Sequence, residues 1–233
     1  MRGLDDFAAA RSDVAFLCLI YPLIGLVLAR IVFGYGLLPL LFPLASGFAL
    51  IGPIAAVGLY EMSRRREAGA EIRWADAFGV VRSPSFNSIV LFGLLLLAIF
   101  LVWLNVATAL YDATLGPEPP VSAAAFGHDL FTTSAGWTLI VAGIGIGFVF
   151  AVFVLAIGVV SAPLMLDRDV GLVAAIGTSL RAVRASPGPM ALWGLIVAAG
   201  LVIGSIPLFL GLIVVMPVLG HATWHLYRRV VLP

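Results

Sequence analysis

Lysine is absent, so all thirteen basic residues are arginine. Charge of either sign is scarce. Charged residues make up 11 % of the 233 positions, against about 25 % in an ordinary soluble domain. The net charge of +1 leaves no electrostatic footprint for nucleic acid. Cysteine occurs once. Cys18 therefore has no intramolecular disulfide partner, and its place inside an apolar run makes it a small packing residue. No phosphate loop, dinucleotide fingerprint, nucleophile elbow or cysteine-rich metal motif is present. No polar stretch is long enough to form a soluble catalytic domain.

What the chain has instead is apolar length. Hydrophobic residues make up 62 %, and mean hydropathy is +1.15. A soluble fold of this size could not hide that much apolar surface, so lipid must be the solvent. The runs 14–33, 37–60, 86–110 and 137–160 each read as a membrane span. The 43 residues from Pro189 to Val231 exceed one span of about 20 residues, and Ser205-Ile206-Pro207 is the natural break between a fifth and a sixth. The first run is too long for the core of a signal peptide, which predicts a retained first span.

Arginine sets the threading. Links 61–85 and 161–189 and both tails carry it, with Arg64, Arg65, Arg66, Arg228 and Arg229 anchoring span ends. Link 111–136 has none and holds Asp112, Glu118 and Asp129. Alternating basic links predict six spans with both termini in the cytoplasm. Arg30, near the outer end of the first span, is the exception and is expected to snorkel outward.

The last span has an earlier counterpart. With Pro43 set against Pro207, Gly47 meets Gly211, Pro53 meets Pro217, Tyr60 meets Trp224, and Arg64-Arg65 meets Arg228-Arg229. A second pattern precedes the odd-numbered spans: DDFAAARS at 5–12, DAFGVVRS at 76–83, and a weaker TSLRAVRA at 178–185. The chain thus reads as a single all-α membrane domain over 1–233. It has three helical hairpins, each preceded by a short amphipathic helix in the headgroup plane, in units of about 4–66, 70–166 and 170–230. The amphipathic faces are Trp74, Phe78 and Val81, then Leu172, Ile176, Leu180 and Val183, with Asp169 placed as an N-cap.

Three stretches, 42–69, 74–84 and 211–229, resemble a family of uncharacterised bacterial inner-membrane proteins, domain of unknown function 2189. The string GHATWHLYR is the most specific part. The resemblance implies a multi-pass protein of the bacterial cytoplasmic membrane. It brings no activity, cofactor or catalytic residue.

Few polar residues stand out. His221 and His225 share a helix face at i, i+4, a spacing that can chelate a metal, and the repeat puts Glu61 at the depth of His225 as a third ligand. Interfacial packing and hydrogen bonding are the plainer use of the two histidines. Asn105 is the clearest intramembrane polar residue, suited to an interhelical hydrogen bond. Gly143/Gly147 and Gly200/Gly204 permit close helix contacts. Three functions remain open. One is a non-enzymatic accessory or scaffold that meets other membrane subunits as well as the lipid bilayer. Another is a small-molecule transporter or channel. The third is a metal-binding membrane protein using Glu61, His221 and His225.

Overall fold

The computed structural model describes residues 18–34, 37–71 and 73–231. The pattern at 5–12, the start of the first span and the turn at Tyr35-Gly36 lie outside the described residues. Among those described, regular structure is entirely helical. The helices are α1 (Ile20–Gly34), α2 (Leu41–Ala55), α3 (Val57–Glu67), α4 (Phe86–Thr114), α5 (Ala123–Thr132), α6 (Ser134–Gly158), α7 (Ser161–Asp167), α8 (Leu172–Ala185), α9 (Pro187–Ser205) and α10 (Leu212–Val231). Two 3₁₀ helices, Leu38–Leu40 and Trp74–Arg82, complete the order.

Among the described residues, four stretches are long and apolar enough to cross a membrane: Leu38–Glu67, Phe86–Thr114, Ser134–Asp167 and Pro187–Ser205. Only 11–29 % of each is buried, so most of their apolar surface faces outward. That surface suits hydrocarbon and would be ruinous in water. α1 is a shorter apolar helix of fifteen residues. α10 has twenty residues, but two histidines, Thr223 and two arginines lower its hydropathy.

The helical runs are interrupted at specific points. Pro53 has no N–H to give, and α2 breaks from α3 at Ala56. The Ser134–Asp167 stretch breaks at Val159-Val160, where Ser179 of α8 reaches in. Its hydroxyl accepts from the Val160 N–H at 3.3 Å and donates to the Ala156 carbonyl at 2.8 Å. α9 and α10 are separated by 206–211, where Leu208 and Phe209 take positive φ values of 51° and 65°. Pro207 is therefore in a turn, and the last helix starts five residues later than the sequence suggested. Phe209 fills the notch left by Gly25 of α1.

Glycines set the close crossings. A Cβ on Gly147 would press on Trp103, and one on Gly204 would press on Leu212 and Val215. Both Gly-x-x-x-Gly pairs thus face neighbouring helices, as their spacing predicts. Arg30 lies against Gly34, toward the helix end.

Several expectations change in detail. Link 111–136 contains α5, capped by Ser122, whose hydroxyl accepts from the Ala125 N–H at 3.1 Å. The stretch 74–82 is a 3₁₀ helix with Trp74, Phe78 and Val81 exposed and Ala77 buried against α3. α8 buries Ala175, Ser179 and Ala182. Gly171 is its N-cap, and Asp169 Oδ1 instead lies 3.3 Å from the Ser85 hydroxyl oxygen.

Candidate functional site at the arginine-bearing end

The last turns of α3, α7 and α10 and the start of Trp74–Arg82 converge at one end of the molecule. There α3 and α10 run side by side in the same direction. A Cβ on Gly220 would come 3.0 Å from the Leu59 Cβ, and the contacts then advance together along both chains. Ser63 Oγ is 2.7 Å from His221 Nδ1, with both side chains buried. One turn further, Glu67 Oε2 is 3.2 Å from Arg228 Nε, and Glu67 Oε1 is 3.9 Å from His225 Nδ1. Tyr60, Ser63 and Glu67 share the α3 face at i, i+3, i+7, while His221, His225 and Arg228 share the α10 face at i, i+4, i+7. Helical periodicity brings the two sets together.

Glu61 lies off that seam. It is 1 % exposed, and a buried carboxylate is costly unless charge and hydrogen bonds compensate it. Three guanidinium N–H groups do so: Arg64 Nε and Nη2 at 2.8 and 2.9 Å, and Arg65 Nε at 2.7 Å. Arg65 also reaches Asp76, whose other oxygen accepts from the Arg73 backbone N–H at 2.8 Å. Gly79 lies over the pair. A Cβ there would meet Arg65 Nη2 at 2.5 Å and Glu61 Oε1 at 3.1 Å, so a side chain at this position would have to displace the Arg65 guanidinium from the pair. The charge cluster pins Trp74–Arg82 onto α3.

Asp167 closes α7. Its Oδ2 accepts from the Tyr227 hydroxyl at 2.6 Å and lies 3.5 Å from Arg228 Nη1. Ser85 fastens the following link, donating to the Arg168 carbonyl at 3.1 Å and accepting from the Val170 N–H at 3.2 Å.

The structure thus brings His221, His225 and Arg228 to α3, but it does not assemble the suggested metal trio. Glu61 is occupied by arginine, His221 is bonded to Ser63, and among the described residues no three His, Cys, Asp or Glu side chains form a metal-holding group. Ser63 with His221 has the composition of a nucleophile and its base. Both are sealed from any substrate, at 0 % and 1 % exposure, so the pair serves to join helices. Asn105 is exposed and donates to the Leu101 carbonyl of its own helix at 2.8 Å, not across to a neighbour. His128 and Asp129 pair at 3.5 Å on the open surface of α5.

Sequence reasoning missed Ser63, Glu67, Ser85, Ser179 and Asp167 as fasteners. Their partners are up to 161 residues away, the separation of Glu67 and Arg228, and no local pattern encodes that. It also missed a cleft of about 330 Å³ bounded by α2, α3, α6, α9 and α10. Small residues open it: Gly52, Ala56, Ala151, Gly158, Gly194 and Ala198. Among the described residues of its wall, Tyr60, Thr223 and Trp193 carry the side-chain N–H and O–H groups.

A family model described as "Predicted integral membrane protein (DUF2189)" matches residues 41–167. That span includes Glu61, the arginine run and the Trp74–Arg82 segment, and it ends at Asp167. No curated protein matches the chain, and no solved structure does.

Proposed function

The chain belongs to the DUF2189 family of predicted integral membrane proteins, and from that premise we propose that it is a non-enzymatic accessory or scaffold subunit of a larger membrane complex. In this reading it is one domain of six spans in three hairpins. It sits in the bacterial cytoplasmic membrane with both termini and the arginine-bearing end in the cytoplasm. The observation that carries the reading is how the polar groups are used. Glu61, Ser63, Glu67, Asp167 and His221 are each engaged with a residue of this same chain, while the spanning helices present apolar faces outward. A membrane enzyme would keep some of these groups open to a substrate.

A solute pathway would need polar groups or water at mid-span. Asn105 is bonded to its own helix and the cleft is apolar, so neither supports transport of a polar solute. The metal reading draws no support from a carboxylate held by two arginines.

Affinity purification from native membranes in a mild detergent tests the proposal. Stoichiometric recovery of one or more other membrane proteins is expected. Recovery of this chain alone, across several detergents and expression levels, contradicts it.

A further inference from the structure

We propose that the cleft between α2/α3, α6, α9 and α10 holds one acyl chain of a bilayer phospholipid, drawn from the leaflet on the arginine-bearing side. This goes beyond the accessory reading and does not depend on it.

The dimensions point to a chain of that length. The cleft wall runs from Ala49 to Tyr60 on α2/α3, from Phe148 to Val159 on α6, and from Ala191 to Leu201 on α9. Ten or eleven residues of helix rise about 15–16 Å. A single leaflet supplies about the same, half of a hydrocarbon core of about 30 Å. The three helices agree on direction as well. Tyr60, Val159 and Ala191 are the ends nearest the arginine-bearing links, so the cleft extends from mid-span to that edge.

The lining and the opening point to hydrocarbon. The floor is buried, with Tyr60 3 %, Val154 2 % and Met216 4 % exposed. The rim is open, with Phe148 68 %, Val152 46 % and Leu195 66 % exposed. These rim residues belong to spanning helices, so what meets them is the bilayer interior. An apolar cavity does not hold water, and left empty its walls forfeit their dispersion contacts. Gly52 has nothing within 4 Å of where a Cβ would stand, so this wall is built around space and not around a neighbouring side chain.

The head end has matching charge. Tyr60, Thr223 and Trp193 mark the change from apolar to polar lining. Arg64 stands one turn beyond Tyr60, with 44 % of its side chain exposed, and Arg184 lies at the end of α8, just before α9. A phospholipid whose chain fills the cleft therefore carries its phosphate into an arginine-bearing zone.

The test uses the full chain, reconstituted in vesicles of phosphatidylethanolamine and phosphatidylglycerol and then extracted into mild detergent. Native mass spectrometry reads the phospholipid retained per chain. The wild type is expected to keep one. Gly52→Leu with Ala198→Leu, which fills the cleft, is expected to lower that occupancy about tenfold while helical content stays unchanged. If the double variant does not fold, Gly52→Leu alone is expected to lower occupancy, because its side chain enters open space. A wild type that keeps no lipid overturns the proposal. So does a spread of several lipids that the substitutions leave unchanged, or a retained second copy of the chain that the substitutions release.

Discussion

The segments Pro43 to Arg65 and Pro207 to Arg229 share two prolines, a glycine and a paired-arginine end, yet they fold differently. Pro43 lies within the first turn of α2, whereas Pro207 precedes the helix and sits in a turn. Pro53 is followed by a break at Ala56, while Pro217 is carried inside a continuous α10. The end of the first segment turns its acid, Glu61, onto its own arginines. The end of the second has His225 in that place, facing Glu67 of the first. The shared residues set where the helices bend and stop. The unshared ones decide what each helix packs against, and they make the two segments complementary side by side.

Four substitutions probe that difference, in decreasing order of expected effect. Removing both arginines, Arg64→Ala with Arg65→Ala, leaves the buried Glu61 carboxylate uncompensated and should cost about 3 kcal/mol. Unfolding of the reconstituted protein by denaturant would report it. If stability does not fall, Glu61 is not held as described. His221→Ala should cost about 2 kcal/mol, by opening a cavity and removing the hydrogen bond to the Ser63 hydroxyl. In a double-mutant cycle with Ser63→Ala, the two effects should fall short of additivity by about 1 kcal/mol. Simple additivity would mean that the pair does not bridge α3 and α10.

Tyr227→Phe removes the hydroxyl that holds Asp167 and should cost about 1 kcal/mol. A thermal midpoint equal to that of wild type would remove α7 from the fastening at this end. Asn105→Leu should change stability by less than about 0.5 kcal/mol, since its amide serves only its own helix. A large loss there would restore the interhelical role that the sequence suggested.

Apolar run length made the four long apolar stretches legible, because lipid imposes it directly. The small-residue pairs at Gly143/Gly147 and Gly200/Gly204 were legible for the same reason, since close packing needs them. Three things were not. The start of the last helix at Leu212 depends on two non-glycine residues with positive φ, a conformation that propensity argues against. α5 was hidden by the prolines and glycines around it. The seam between α3 and α10 joins residues far apart in sequence, where helix phase reveals a face but not its partner. The repeat register suggested that Glu61 and His225 would meet. In the structure the seam runs through Ser63 and Glu67 instead, because arginine on its own helix takes Glu61 first.

The central claim is that α3 and α10 lie in contact and run in the same direction. Cysteines at Leu59 and Gly220, in a Cys18→Ser background, test it directly by oxidative crosslinking in native membranes. A Cβ at 220 stands 3.0 Å from that of residue 59, close to the separation of about 3.5–4.5 Å found in disulfides. The account predicts rapid, near-complete intramolecular crosslinking of Leu59→Cys/Gly220→Cys and little for Leu59→Cys/Leu212→Cys. Absence of the first crosslink, or preference for the second, would contradict it.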